Sequence, residues 1–482
     1  MSSVLSELEP QVVWKHFEAL TKIPRASGNE AAARQYILDQ ARKLGLETQQ
    51  DQAGNVVVRK PAHRGRENAP IALLQGHLDM VCEKNEGTAH DFSKDPIRVV
   101  RRDGWLYADG TTLGSDNGIG VAASLAVMES TDIAHGPLEF VYTIDEETGL
   151  TGATQFGKGM LKAKYFLNLD NEEKGTLCIG CSGGVNTTAR RKLTFKPAPS
   201  GAAYRIKVSG LKGGHSGVDI HLGRGNALRI LGNALQRVME KLSIDVADVK
   251  GGSAHNAIPR EASATIVVDK ARESELHSVI SGFATETQTD LGNFDPGVQV
   301  SVEPTAAPAQ VMDKADAKRI ADVLAAVPHG VLAMSPDVPG LVQNSTNLAT
   351  ISIKDVQAEI VTSQRSAIAT SRDASRRLVE TVFRIAGFEP EHTGEYPGWK
   401  PEPDSDIVKT CKKAYEKTFG SEPKLIAMHA GLECGVIGEK YPGMQMISFG
   451  PQIESPHSPN ERVEIESVGE FWKYLKAVLE NL

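Results

Sequence analysis

Near-continuous apolar runs alternate with helix-like stretches along the first 180 residues of the chain. Runs such as IALLQ (71–75), LEFVYTI (138–144) and KYFLNLD (164–170) are typical of strands that are buried on both faces. The apolar segment VAASLAVM (121–128) follows a glycine-rich loop and has the composition of a buried helix. Strands separated by helices predict an α/β unit whose mainly parallel sheet is sandwiched between helices.

The pattern changes after residue 184. Strands with clearer alternation of apolar and polar positions follow, such as AYRIKVSG (203–210) and AEIVTSQ (358–364). Helix-like stretches lie between several of them, near residues 224–242, 313–326 and 372–387. Near residue 396 the chain becomes rich in proline and glycine, and afterwards the first pattern resumes. We therefore predict a discontinuous catalytic domain, residues 1–184 and 396–482. An α+β lid domain, residues 185–395, interrupts it and is long enough to contain two halves.

Composition limits the classes of function. A chain of 482 residues with 40% hydrophobic content can bury large cores, and a net charge of −8 with no basic stripe argues against a nucleic-acid partner. The sequence contains neither an apolar stretch approaching 18 residues nor a secretory-signal pattern, so we expect no membrane partner and a cytoplasmic location. Five cysteines in a sparse, odd-numbered set indicate neither a disulfide framework nor a thiolate zinc site.

Acidic and histidine side chains follow the predicted strands or open the next helix. They are His77 and Asp79 after IALLQG, Asp116 in the loop GTTLGSDNGIG, Glu146 and Glu147 after LEFVYTI, Asp170 after KYFLNL, and His457 in the loop after MQMIS. Open parallel sheets bind ligands beyond the carboxyl ends of their strands, so these loops can converge. Several carboxylates crowded beside two imidazoles in one crevice repel one another unless cations lie between them. Each residue alone also has a structural explanation, such as a structural His–Asp pair, a turn or a solvated acidic loop. Their joint placement, however, predicts a site for two metal ions.

An ordered series of motifs runs nearly the whole length of the chain. It includes GHLDMV, GTTLGSDNGIG, EETGLTGA, GLKGGHSG, NAIPRE, YPGWKP, HAGLECG and PHSPNERVEIESVG. These motifs resemble the dinuclear zinc peptidases that include carboxypeptidase G, aminoacylases and cytosolic dipeptidases, and within them the enzymes that cleave Xaa-His dipeptides. The resemblance implies a metal-dependent hydrolase whose substrate is a small dipeptide such as beta-alanyl-histidine.

The resemblance also implies roles at the metal site. His77 and Asp170 would bind one zinc ion, Glu147 and His457 would bind the other, Asp116 would bridge the two, Glu146 would be the general base, and Asp79 would be a catalytic residue that orients His77. Two zinc ions per subunit are therefore expected. Cobalt or manganese could substitute, since the ligands are nitrogen and oxygen atoms.

The lid domain supplies further candidates through the same resemblance. His215 in GLKGGHSG would stabilise the oxyanion, while Asn256 and Arg365 would contact the substrate. A guanidinium suits a free C-terminal carboxylate because it donates two parallel hydrogen bonds. Glu433 in HAGLECG would border the specificity pocket or recognise the amino end.

Three questions stay open at the level of sequence. An aminoacylase or carboxypeptidase acting on N-acyl amino acids would use the same chemistry. A catalytically silent binding protein would keep the fold without turnover. The chain could form a homodimer, and His215 could act in its own subunit or in the partner subunit.

Overall fold

The computed structural model describes residues 4–482. The helices are α1 Gln11–Thr21, α2 Ala31–Lys43, α3 Ser115–Glu129, α4 Thr151–Gln155, α5 Ala227–Lys241, α6 Glu273–Leu291, α7 Lys314–Ala326, α8 Ala369–Ile385, α9 Asp406–Phe419, α10 Glu433–Lys440 and α11 Ile465–Asn481. The strands are β1 Glu47–Gln50, β2 Val56–Lys60, β3 Ala72–His77, β4 Val99–Arg102, β5 Trp105–Ala108, β6 Leu138–Thr143, β7 Tyr165–Asn168, β8 Thr176–Cys181, β9 Gly183–Lys192, β10 Phe195–Pro197, β11 Ala202–Ser209, β12 Gly214–His215, β13 Ile244–Gly251, β14 Ala257–Ile258, β15 Ala262–Val268, β16 Gln299–Pro304, β17 Gln310–Met312, β18 Gly330–Met334, β19 Val342–Lys354, β20 Gln357–Ser366, β21 Glu389–Tyr396, β22 Lys424–Met428, β23 Gln445–Ser448, β24 Ile453–Glu454 and β25 Arg462–Glu464. No helix within residues 4–482 is both long enough and apolar enough to cross a bilayer.

The chain divides into two compact units. The first contains the described residues up to Cys181, together with Trp399–Ala427 and Leu432–Leu482. The second contains Ser182–Gly398 and the short segment Met428–Gly431. That short segment lies within the part of the chain that the sequence analysis assigned to the catalytic domain, and it brings His429 into the second unit.

The first unit is built on a sheet with strand order β1-β2-β6-β3-β7-β23-β8-β22. Its central strands are parallel, since β3 pairs with β6 and β7 and β23 pairs with β7. Strands β3 and β6 are buried along their whole length, as their continuous apolar runs require. Helix α3 packs on β3 and α9 packs on β23. The predicted α/β class with a mainly parallel sheet is confirmed.

The second unit is built on an antiparallel sheet with strand order β16-β11-β15-β13-β19-β20-β9-β21, with β18 beside β19. One registered pair, Gly251 and Ile351, joins strands β16, β11, β15 and β13 to strands β19, β20, β9 and β21. Helices α5 and α7 pack against each other, while α8 packs on β9, β20 and β21. Helix α6 was not predicted. Most of its surface is exposed, and its buried apolar residues are Leu276 and Ile280, which is too few to give a clear helical periodicity in the sequence.

Candidate metal centre

Four parallel strands of the first unit bring the predicted ligands to one edge of its sheet. Strand β3 ends at His77, and its neighbours β6 and β7 end shortly before Glu146 and Asp170. Strand β23 lies beside β7, and the loop that follows it carries His457. Because the strands are parallel, their carboxyl ends meet at the same edge.

Asp116 lies between the two histidines at the start of α3. Its Oδ1 is 3.1 Å from His77 Nε2, and its Oδ2 is 3.1 Å from His457 Nε2. Asp170 Oδ1 is 3.5 Å from His77 Nε2, and Glu147 Oε2 is 3.0 Å from His457 Nε2. One carboxylate therefore joins two groups of side chains, and each group includes a histidine and a second carboxylate.

Ligand atoms in both groups are close enough for an ion. The donor atoms of His77, Asp116 and Asp170 lie within 4.8 Å of one another, and so do those of Asp116, Glu147 and His457. All are nitrogen or oxygen, which suits zinc, cobalt or manganese. A carboxylate shared between two such groups is the arrangement that paired metal sites use.

The acids of the centre are crowded and strongly desolvated. Burial, with Asp116 and Glu147 nearby, raises the pKa of Asp170 to about 7. Burial likewise raises the pKa of Glu172 to about 9 and holds the pKa of Glu146 well above its usual value. Contacts with Asp116 and Glu147 raise the pKa of His457 to about 11. Ionised carboxylates here therefore need positive charge beside them, which bound cations would provide.

Asp79 connects the first histidine to the acid run. Its Oδ1 is 3.3 Å from His77 Nδ1, and its two oxygens accept hydrogen bonds from the backbone N–H groups of Glu146 (3.0 Å) and Glu147 (3.1 Å). Burial opposes ionisation, but the contact with His77 and these donors hold the pKa of Asp79 below its usual value. Asp79 thus orients the imidazole and also fixes the backbone that presents the two glutamates.

Glu146 and Glu147 follow a sharp turn at the end of β6. Asp145 adopts a left-handed conformation with φ 51°, which turns the chain away from the strand direction. A carboxylate oxygen of Glu146 lies within 4.8 Å of ligand atoms of His77 and Glu147. Glu146 belongs to neither group that contains Asp116, but with His77 and Glu147 it forms a further group of possible ligands.

Glu461 supports the loop that carries Asp116, and it is not among the residues predicted from the sequence. It is 2% exposed, and its carboxylate accepts hydrogen bonds from the backbone N–H groups of Leu113 (2.7 Å), Gly114 (2.9 Å) and Ser115 (2.7 Å). The Ser115 hydroxyl donates a further hydrogen bond of 2.6 Å. Its position four residues after His457, within the motif PHSPNER, is the signal that could have drawn attention to it.

Arg25 supports the same region from the other side. Its guanidinium donates to the backbone carbonyls of Leu78 (3.0 Å) and Asp79 (2.7 Å), and also to the carbonyl of Gly114. Arg25 thereby ties the segment after His77 to the loop before Asp116. No motif marks this arginine, because its role depends on contacts with residues more than 50 positions away.

We expect Glu461→Gln to weaken metal binding about 10- to 100-fold, the range typical of outer-shell substitutions. The amide N–H₂ of glutamine cannot accept the backbone donors that the second carboxylate oxygen accepts, so the Asp116 loop would lose its support. Metal affinity measured by competition with a chromophoric chelator checks this. Glu464→Gln is the matched control, since Glu464 pairs with Lys174 (2.6 Å) instead. Unchanged metal affinity in Glu461→Gln would show that Glu461 stabilises the loop without affecting metal binding.

Glu433 lies deep in the first unit, at the start of α10. Its Oε2 accepts hydrogen bonds from Gln75 Nε2 (2.5 Å) and the Thr143 hydroxyl (2.7 Å), while its buried Oε1 has no donor in the part of the chain that the structure describes. Asn168 Nδ2 holds Gln75 in turn, at 2.6 Å. Burial raises the pKa of Glu433 to about 7. The result is a rigidly held carboxyl group with one unused acceptor.

The remaining predicted residues, which lie in the second unit, are His215, Asn256 and Arg365. Ser216 hydrogen-bonds to both Arg365 and Asn256. Arg365 Nη2 donates to the Ser216 hydroxyl (3.4 Å), and the Ser216 backbone N–H donates to the carbonyl of Asn256 (2.8 Å). His215 precedes Ser216 in the chain. Arg365 Nη1 also donates to the Tyr396 hydroxyl, at 2.7 Å. The side chain of Asn256 is exposed.

The contacts of His215 define which ring nitrogen carries its proton. The backbone N–H groups of Gly217 (3.2 Å) and Val218 (3.1 Å) donate to Nδ1, so the neutral ring carries its proton on Nε2. Burial, together with Arg365, lowers the pKa of His215 and favours this neutral form. His215 therefore presents a single Nε2–H donor.

Comparisons with known proteins agree with this architecture. Residues 73–481 match the model of Peptidase family M20/M25/M40. The chain is 38% identical over 481 residues to the cytosol non-specific dipeptidase of Escherichia coli (strain K12), covering 100% of this chain and 99% of that protein. The crystal structure of aminoacylhistidine dipeptidase from Vibrio alginolyticus superposes with a TM-score of 0.92 at 41% identity, covering 99% of this chain and 98% of that one. Aminopeptidase PepT from Bacillus cereus shares the fold, with a TM-score of 0.58 at 17% identity over 98% of this chain and 99% of that one. The protein belongs to peptidase family M20/M25/M40.

Proposed function

We propose that the protein hydrolyses unblocked dipeptides, including Xaa-His, at a centre of two divalent cations in the first unit. The observation that carries this proposal is the placement of Asp116, which offers one oxygen beside His77 and the other beside His457. His77 and Asp170 would hold one ion, and Glu147 and His457 the other. The names of the two full-length relatives, both dipeptidases, support the substrate class. The name of the Escherichia coli relative also supports a cytoplasmic location.

The cations, with zinc as the proposed native metal, would polarise the scissile carbonyl and lower the pKa of an attacking water. Glu146 accepts the proton of that water and delivers it to the amine as the C–N bond breaks. Its position outside both Asp116-containing groups supports this role, because a carboxylate committed to an ion is a poorer base. Asp79 keeps His77 oriented and holds the backbone of Glu146 in place.

Residues of the second unit would bind the parts of the substrate away from the centre. A neutral His215 with its proton on Nε2 is suited to donate to the oxyanion that forms as the carbonyl is attacked. Arg365 would bind the free C-terminal carboxylate, and Asn256 would contact the substrate near it. The buried carboxyl group of Glu433, with its unused Oε1, would accept the N–H of an unblocked amino end.

The proposal is tested by measuring product release from alanyl-histidine, beta-alanyl-histidine and an N-acetyl amino acid. We expect the first two to be cleaved and the acylated compound to be left largely intact, because the methyl group of its acetyl moiety offers no ammonium group as a partner for Glu433. Activity should disappear after chelation and return with added zinc. Preferential cleavage of the N-acetyl compound would favour an aminoacylase or carboxypeptidase, and a metal-loaded protein without turnover would indicate a binding protein.

A further inference from the structure

Neighbouring positions of β19 and β20 carry buried polar side chains on one face of the second unit's sheet. Strands β19 and β20 place Ser345 opposite Arg365 and Asn347 opposite Ser363, with all four side chains on the same face. Each of the four is at most 6% exposed. Buried polar side chains are normally fully hydrogen-bonded, so any unused donor or acceptor among them requires an explanation.

Arg365 supplies an unneutralised charge on this face. Its hydrogen-bond partners are the hydroxyl groups of Tyr396 and Ser216, and no carboxylate within residues 4–482 forms an ion pair with it. Its buried Nε has no acceptor among the described residues. A buried guanidinium without a counter-ion is costly, and an anionic ligand would offset that cost.

Asn347 supplies an unused acceptor on the same face. Its amide nitrogen donates to the backbone carbonyls of Ala257 (2.8 Å) and His255 (3.3 Å), and this pair of acceptors determines which way the amide group points. The Oδ1 atom is then left buried, and no donor from residues 4–482 reaches it. Unlike Asn347, the neighbouring Ser345 is already engaged, since its hydroxyl lies 2.7 Å from His429 Nε2.

We propose that Asn347 Oδ1 accepts a hydrogen bond from the side-chain N–H of the substrate's C-terminal residue, and thereby favours histidine at that position. This inference rests on the proposed function, in which Arg365 holds the carboxylate of the same residue. Diagonal neighbours on one sheet face lie roughly 7–8 Å apart, so one amino acid could contact both side chains. The ligand class is an amino acid whose side chain carries an N–H donor, such as the neutral imidazole of histidine.

The first test changes the substrate and leaves the protein intact. Alanyl-histidine is compared with alanyl-thienylalanine, whose ring has a similar size but carries no N–H group. We expect kcat/KM to be about 10- to 100-fold higher for alanyl-histidine, since the analogue buries the acceptor of Asn347 without a partner. Equal kcat/KM values for the two dipeptides would overturn the inference.

The second test asks whether Asn347 is the origin of the preference. Asn347→Leu should bring the ratio of the two kcat/KM values close to one. Asn344→Leu is the control, because Asn344 lies on the opposite face of the same strand and its Oδ1 already accepts from the Ser366 hydroxyl (2.9 Å). It should keep the wild-type ratio. A wild-type ratio in a folded Asn347→Leu variant would refute the assignment of Asn347.

Alanyl-alanine separates this inference from the proposed function. Cleavage of alanyl-alanine without any preference for alanyl-histidine over its analogue would overturn the assignment of Asn347 and leave the dipeptidase proposal intact. Metal-loaded protein that leaves all three dipeptides uncleaved would overturn both.

Discussion

Replacing Glu146 with alanine is expected to lower kcat by roughly 10²- to 10⁴-fold, the usual contribution of a general base, while two metal ions stay bound. Both ligand groups around Asp116 exclude Glu146, so its removal leaves every proposed ligand in place. The backbone also remains held, because Asp79 binds the N–H groups of residues 146 and 147 and not the Glu146 side chain. Steady-state kinetics on alanyl-histidine, combined with metal analysis by mass spectrometry, measures both quantities.

Asp145→Asn is the matched control for this substitution. It lies in the same acid run, and asparagine tolerates the left-handed conformation that Asp145 adopts. We expect near wild-type kcat in the control. Near-native turnover of Glu146→Ala would show that another group moves the proton, whereas loss of a metal ion would show that Glu146 is a ligand.

Replacing Asp116 with alanine is expected to abolish binding of both ions and to reduce turnover to background. Each ion would keep two of its proposed protein ligands, His77 with Asp170 and Glu147 with His457, whereas zinc sites in enzymes usually use three. The two imidazoles would also lose the carboxylate that contacts both of them. Metal content after dialysis, measured against protein concentration, checks the prediction.

Asp170→Ala tests the difference between Asp116, the proposed ligand of both ions, and a ligand of one ion only. It should lower metal content by about one ion per chain, because the group formed by Asp116, Glu147 and His457 is untouched. Glu173→Ala is the neutral control from the same acid run, since the Glu173 carboxylate is 55% exposed. Two ions retained in Asp116→Ala would contradict the bridging assignment.

The local pattern explains why the edge of the first sheet was predictable. An apolar run predicts a buried strand, and the residue that follows the run must lie at the carboxyl end of that strand. His77 and Asp170 could therefore be placed from the sequence at one edge of a parallel sheet, and the structure brings them within 3.5 Å of each other. Their assignment as ligands of the same ion stays a prediction.

Contacts between distant segments explain what was missed. The Glu461 carboxylate accepts hydrogen bonds from five donors, and all of them belong to residues about 350 positions earlier. Nothing in the residues next to Glu461 reveals that pairing. Helix α6 was missed for a different reason, since a helix with few buried apolar residues lacks the periodicity on which prediction depends. The grouping of His429 with the second unit likewise depends on packing alone.

The order of apolar runs, turns and acidic strand ends determined the class of the fold, the edge at which the candidate metal site forms and the residue types available to it, because these follow from periodicity along the chain. The tertiary structure alone decided how Glu461 and Arg25 hold the Asp116 loop, and which atoms of Arg365 and Asn347 are left without partners among the described residues. Those properties arise from hydrogen bonds that form only when segments far apart in sequence meet. No periodic pattern in the sequence therefore indicates them.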